Sequence, residues 1–197
     1  VTKKTVYIVG GNYGYYPPFA EAGYDLVYTS SCKPDLYVFT GGADINPALY
    51  GETPHRTVSF NDERDKVDIK YANEAFRNGI PCVGICRGAQ FLNVMNGGKL
   101  LQHVEGHAIG GTHPITTIEG DKVLVTSTHH QMMWPKKGYA LLAWFDPDPV
   151  RAWGNPEPEV VWYPETRSLC VQYHPEYMGK DTEGWKYFQK LLGEYIK

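Results

Sequence analysis

Three side chains in this sequence are of the right types to work together on an acyl group. Cys86 sits in Gly84-Ile85-Cys86-Arg87-Gly88, and His174 and Glu176 sit in Gln172-Tyr173-His174-Pro175-Glu176. A thiol becomes a nucleophile when a base takes its proton, and the base works best when a third group fixes its orientation. Two glycines around one polar residue at a strand-to-helix junction suit a sharp turn that presents a nucleophile. A helix starting just after Cys86 would also place partial positive charge near the sulfur. Each motif has a plainer reading as well. The first fits a buried cysteine between packing glycines, and the second fits a surface His-Pro-Glu turn.

The elements around these motifs decide between the readings. β-Branched and apolar runs predict strands over 5–9, 25–29 and 35–40, with a further short run ending at Gly84. Between the last two, Val67, Tyr71, Ala72, Ala75 and Phe76 recur at helical spacing over about 61–78, with Asp62 and Glu63 at the start and Gly79 and Pro81 at the stop. A second helix carries Phe91, Leu92 and Met95 and ends at Gly97-Gly98. Strand–helix–strand order implies a doubly wound α/β fold, its sheet mostly parallel with helices on both faces. Further strands are expected over 121–127, 139–145, 159–163 and 167–173, with prolines 147, 149, 156 and 158 in an exposed loop. From Asp181 an amphipathic helix presents Trp185, Phe188, Leu191, Leu192 and Tyr195 on one stripe. Cys86 and His174 both then fall at carboxyl ends of strands, the side of an open α/β sheet where sites form. The glycine pair Gly41-Gly42 follows another such strand, and unshielded backbone N–H groups there suit an oxyanion site.

Composition removes several classes of function. A net charge of −3 gives no general attraction to nucleic acid or to anionic membranes, and no apolar stretch approaches a membrane span. The loop Gly10–Gly14 lacks nucleotide-binding spacing, and Pro17-Pro18 interrupt the helix such a loop needs. Cysteines 32, 82, 86 and 170 show neither zinc nor disulfide spacing, so a reduced, cytoplasmic setting is expected. The length and the absence of a signal-peptide pattern fit one domain over 1–197. His103, His107 and His113 raise the question of a metal. Gly106, Gly110-Gly111 and Pro114 argue against a helix holding them on one face, so neither a metal nor a cofactor is expected.

Four blocks in order carry a resemblance: Thr40–Gly51, Gly84–Gln90, Ser127–Gln131 and Gln172–Glu176. The chain resembles a class I glutamine amidotransferase domain of the triad type, most closely the free-standing γ-glutamyl hydrolase branch (peptidase family C26). The resemblance implies a flavodoxin-like fold. It also implies Cys86 as nucleophile, His174 as base and acid, Glu176 as orienting carboxylate, and an oxyanion hole from Arg87 with Gly41 or Gly42. Gln90 and the segment Ser127, Thr128, His129 and His130 would line the glutamyl pocket. Thr126 stands where family members often carry Asn. Intracellular-protease-like relatives place His directly after the cysteine, where Arg87 stands here. Dienelactone-hydrolase-like proteins need the acid before the histidine, the reverse of this order. Three functions follow from the resemblance: hydrolysis of a small-molecule γ-glutamyl amide, a glutaminase subunit feeding a synthetase in trans, or a catalytically silent binding protein.

Overall fold

The computed structural model describes residues 3–29, 31, 33–147 and 156–196. The expected loop prolines straddle this boundary, with Pro149 outside the described residues, as is Cys32.

Eleven strands appear among them. β1 (Thr5–Ile8), β2 (Asp25–Val27), β3 (Leu36–Phe39), β4 (Cys82–Ile85) and β11 (Ser168–Val171) form the parallel half of one nine-stranded sheet, in the order β2-β1-β3-β4-β11. That order continues antiparallel through β10 (Glu157–Tyr163), β9 (Ala140–Phe145), β6 (Ala108–Thr117) and β7 (Lys122–Thr128). β5 (Lys99–Leu101) and β8 (Met132–Trp134) make a separate two-stranded ribbon. The central strands β3, β4 and β11 are buried at every residue, which a sheet covered on both faces requires. β7, at the edge, alternates buried and exposed positions along most of its length.

Two apolar cores cover the two faces. On one, α4 (Glu183–Tyr195) packs Phe188, Leu191 and Leu192 against Ile8, Val83 and Val171. On the other, α2 (Asp62–Asn78) and α3 (Arg87–Met95) pack Ala72, Ala75, Phe91 and Leu92 against Tyr37, Phe39 and Cys82. α2 is capped by a residue not singled out from the sequence: Asn61 Oδ1 accepts from the N–H groups of Glu63 and Arg64 at 3.0 and 3.1 Å. It ends at Gly79, whose φ of 64° closes the helix in the left-handed region. No helix among the described residues is long and apolar enough to cross a membrane.

Three local expectations change. Pro17 and Pro18 open a short helix, α1 (Pro17–Glu21), because proline is accommodated in the first turn. The buried face of α2 carries Asp65 and Asp68 beside Ala72 and Ala75, while Val67 faces solvent. Charge pairing, rather than apolar spacing, sets which way the first turns of this helix point. The glycine-rich stretch after His107 forms a ten-residue strand, β6, which takes up its irregularity as a register shift between Ala108 and Gly111.

Candidate active site

β4 runs into Cys86 and α3 starts at Arg87, so the chain reverses direction at the sulfur-bearing residue. Cys86 has φ 54° and ψ −112°, a conformation that costs a non-glycine residue about 1–3 kcal/mol. The flanking glycines make that turn sterically possible. A Cβ on Gly84 would lie 2.4 Å from the Gly88 carbonyl oxygen, and one on Gly88 would lie 2.1 Å from that of Phe39. The Cys86 N–H donates to the Val171 carbonyl at 2.8 Å, which ties the turn to β11.

That tie matters because β11 delivers the histidine. β4 and β11 are parallel neighbours with Ile85 opposite Val171, so the two chains leave the sheet on the same side. His174 and Cys86 both flank Gly41, where a Cβ would lie 3.0 Å from His174 Cε1 and 3.7 Å from Cys86 Cβ, and His174 Nδ1 lies 2.6 Å from Glu176 Oε1. Its backbone N–H donates to Thr126 Oγ1 at 2.8 Å, and its ring stacks on Tyr177 at 4.6 Å. Burial lowers the His174 pKa, but hydrogen bonds and charge from Cys86 and Glu176 outweigh it and push the value up to about 10. The imidazolium is therefore the favoured form near neutral pH.

Gly41 lies between the two. A Cβ there would meet Tyr15 Oη at 2.6 Å and His174 Cε1 at 3.0 Å. The Gly41 N–H donates to Tyr15 Oη at 3.1 Å, whereas Gly42, with φ 140°, lines the pocket in front of Cys86. Of the two glycines, Gly42 is thus the one that lines the pocket. Arg87 contributes its backbone at the start of α3, while its side chain is buried in ion pairs with Asp65 and Asp68. Arg87 Nε also donates to the Ala43 carbonyl at 3.2 Å. Arg64 bridges Asp68 at 3.1 Å and the Thr40 hydroxyl at 2.9 Å. The Asn46 N–H donates to Asp65 Oδ2 at 2.9 Å. This network fastens the 40–46 loop to the first turns of α2.

None of Tyr15, Arg64, Asp65 and Asp68 was singled out from the sequence. For the two aspartates a signal existed: three residues apart, they fall on the same helix face as the buried Ala72 and Ala75.

A pocket of about 280 Å³ opens in front of the sulfur, bounded by Gly42, Asp44, Cys86, Gln90, Thr128 and His130 among others. Gln90 Nε2 donates to the Gln131 carbonyl at 3.1 Å and to Gln172 Oε1 at 3.2 Å, so its side chain is fixed in the floor. His130 Nε2 lies 3.0 Å from Asp44 Oδ1 at the rim. Ser127 departs from expectation. It is fully buried, its hydroxyl donates to the His107 carbonyl at 2.7 Å, and it does not line the pocket. Strand alternation explains this, since Thr126 and Thr128 take the other face of β7. His129 borders the pocket while its buried ring is held from behind, Nδ1 lying 2.8 Å from the Gln131 carbonyl.

His107 and His113 also depart from expectation. No helix holds them, but the bend into β6 brings both rings beside Glu159 of β10, a buried group of potential metal-ligating atoms. His103 stays apart and stacks on His55 with ring centroids 5.6 Å apart.

Known proteins resemble this chain in sequence and in fold. The Peptidase C26 family profile matches residues 32–116. A Mycobacterium tuberculosis protein provisionally named a glutamine amidotransferase, Rv2859c, is 31% identical over 175 residues, 79% of this chain and 54% of that protein. The glutamine amidotransferase-like protein YvdE of Lactococcus lactis, likewise provisionally named, is 32% identical over 163 residues, 72% of this chain and 66% of that protein. The chain thus spans roughly half to two thirds of the length of these curated relatives. The carbamoyl phosphate synthase small chain of Wigglesworthia glossinidia brevipalpis is 31% identical over 103 residues, 52% of this chain and 23% of that protein. Among solved structures, a Thermotoga maritima glutamine amidotransferase superposes with a TM-score of 0.65 at 16% identity, covering 100% of this chain and 87% of that one. PurLQS from the same organism superposes with a TM-score of 0.66 at 16% identity, covering both chains fully. With the Peptidase C26 match, relatives above 30% identity over 72–79% of the chain and a shared fold, the chain belongs to the class I glutamine amidotransferase-like family.

Proposed function

We propose that the protein is a cysteine-dependent hydrolase of γ-glutamyl amides. The observation that carries this reading is the strained turn at Cys86 beside a buried histidine held by Glu176. A strained non-glycine residue persists only where its surroundings enforce it, and such strain collects at reactive positions.

The chemistry follows from the geometry. Sulfur attacks the γ-carbonyl carbon as thiolate, and negative charge develops on the carbonyl oxygen. The backbone N–H groups of Arg87 and Gly42 would receive that oxyanion. The tetrahedral intermediate collapses as His174 gives its Nε2 proton to the departing nitrogen, so amine or ammonia leaves and a γ-glutamyl thioester remains. His174 is then neutral and takes a proton from water. The resulting hydroxide attacks the thioester, and glutamate leaves as Cys86 is regenerated. Glu176 keeps the ring oriented and supports its positive charge throughout. The Asp44–His130 pair at the rim carries polar groups suited to the α-amino and α-carboxylate ends of a glutamyl substrate.

A second reading has its own support. The carbamoyl phosphate synthase small chain relative and the PurLQS superposition favour a glutaminase subunit that delivers ammonia to a separate synthetase. Both readings share Cys86 chemistry and differ in what leaves and where it goes. Assay of the purified chain with glutamine and a panel of γ-glutamyl-amines separates them. Turnover of conjugates without any partner supports the hydrolase. Negligible turnover of every conjugate, with glutamine hydrolysis appearing only when a synthetase is added, supports the subunit.

A further inference from the structure

The antiparallel half of the sheet holds a second group of functional side chains that the proposed chemistry does not use. His107, His113 and His129 converge on Glu159, all four buried, from the start of β6, from β6 itself, from the β7–β8 connection and from β10. Glu159 Oε1 lies 3.1 Å from His113 Nε2, 3.5 Å from His129 Nε2 and 4.0 Å from His107 Nδ1. One ligand atom from each of His107, His113 and Glu159 lies within 4.8 Å of the other two, within reach of one ion whose tetrahedral edge at bonds of 2.0–2.1 Å is about 3.3 Å, and His129 stands beside them. We propose that His107, His113 and Glu159 form a buried binding site for one zinc-class divalent cation, with His129 beside it.

Proton positions separate a metal site from a plain hydrogen-bonded cluster. His107 Nε2 lies 2.7 Å from Glu157 Oε2, and His129 Nδ1 lies 2.8 Å from the Gln131 carbonyl oxygen. A carboxylate and a carbonyl only accept, so those two nitrogens carry the hydrogens. The opposite nitrogens, His107 Nδ1 and His129 Nε2, then aim lone pairs at the Glu159 carboxylate. His107 Nδ1, His113 Nε2, His129 Nε2 and both Glu159 oxygens are buried without a well-aligned hydrogen bond, although His113 and His129 approach Glu159 to 3.1 and 3.5 Å. Lone pairs converging on a carboxylate at 3–4 Å suit a cation between them, as buried polar atoms otherwise find partners.

The supporting contacts have the form that metal sites use. Glu157 on His107 makes a carboxylate–histidine pair, and the Gln131 carbonyl does the same for His129, each fixing tautomer and ring angle. His113 is held flat against Phe145, with ring centroids 4.9 Å apart and planes 9° apart. These ligands are buried away from the Cys86 pocket, so the ion is structural. It would join β6, β10 and the wall of the pocket through His129, and would reach β11 because the Gln172 N–H donates to the Glu159 carbonyl at 2.8 Å.

The test is metal stoichiometry on the tag-free chain purified from zinc-supplemented growth, by native mass spectrometry and by zinc release to a chromophoric chelator. One zinc per chain is expected, with cobalt substitution giving the intense visible bands of a four-coordinate centre. His113→Gln and Glu159→Gln should lose the ion. Glu157→Gln, which keeps every ligand, should weaken zinc binding by about 10–100-fold; it serves as the reporter if the ligand variants do not fold. A variant lacking the exposed, stacked His55 and His103 should keep its zinc. Chelation should lower the Tm of the wild type and leave that of Glu159→Gln unchanged. Folded wild-type protein holding less than about a tenth of an equivalent of zinc under these conditions would overturn the assignment, given the tight binding of structural zinc. Loss of zinc in the His55/His103 variant, or unchanged affinity in Glu157→Gln, would overturn it too.

Discussion

The two halves of the sheet place polar groups beside one pocket by opposite means. In the parallel half, the chain is forced into place locally. Cys86 is strained, two glycines admit neighbouring backbone, and the histidine arrives on the adjacent strand in register. In the antiparallel half, nothing in the cluster is strained at a non-glycine position, and the cluster is assembled from residues about fifty apart, such as His107 with Glu157. The first arrangement suits a group that must react, since strain and a tight turn expose one atom. The second suits groups that must stay put, since many strands share the load. The same pocket borders both through Cys86 and His129.

Substitutions on the parallel side should break chemistry most. His174→Ala is expected to lower turnover by about 10⁴-fold or more, and Glu176→Gln by a factor at least tenfold smaller, since proton transfer contributes more than orientation. Single-turnover and steady-state rates on a γ-glutamyl amide check this, and equal losses would remove the division of roles. A glycine pair then contrasts the halves directly. Gly88→Ala drives a methyl into the Phe39 carbonyl and should prevent folding or cost more than about 3 kcal/mol. Gly111→Ala in β6 meets only Ile109 side-chain atoms at 3.8 Å and should change stability by less than about 1 kcal/mol. Urea unfolding of both variants reads the difference, and equal effects would erase the contrast.

Removal of one carboxylate from the buried Arg87 network is the next largest effect. Asp68→Ala leaves two guanidinium groups short of a partner and should cost about 3 kcal/mol, with lower activity because the 40–46 loop loosens. Activity retained at wild-type level in a destabilised Asp68→Ala protein would separate the network from the oxyanion loop.

The smallest effect is the pH dependence of stability. The folded-state pKa of His174, about 10, exceeds the unfolded value near 6.5, so the folded state holds the proton more tightly. Its stabilisation is complete below about pH 6.5, declines as pH rises and is gone above about pH 10. The stability gap between wild type and His174→Gln should therefore shrink between pH 7 and 10. A gap that widens over that range would reverse the sign.

The parallel half was legible in the sequence because its signals are local. A glycine–cysteine–glycine turn, a double glycine after a buried strand and a His-Pro-Glu after another each declare themselves within five residues. The start and stop of α2 were legible for the same reason, through Asp62 and Glu63 at one end and Gly79 at the other. What escaped depends on distant pairing. Asp65 and Asp68 look like helix-start acids until Arg87 arrives from another element. Ser127 looks like a pocket residue until the register of β7 turns it inward. The glycines around His107 and His113 correctly excluded a helix, yet a strand with a register shift brings the two rings together. In the antiparallel half, pairing partners set the side-chain positions, and those lie far along the chain.

The central claim is that Cys86 carries the acyl group, and one measurement tests it most directly. Wild-type protein is mixed with a γ-glutamyl p-nitroanilide, quenched in acid within the first turnovers and digested for peptide mass spectrometry. A glutamyl adduct on the peptide containing Cys86 is the predicted result, absent in Cys86→Ala, whose turnover should fall by more than about 10³-fold with its fold retained. Turnover without any adduct on Cys86, or turnover that survives in Cys86→Ala, would contradict the account.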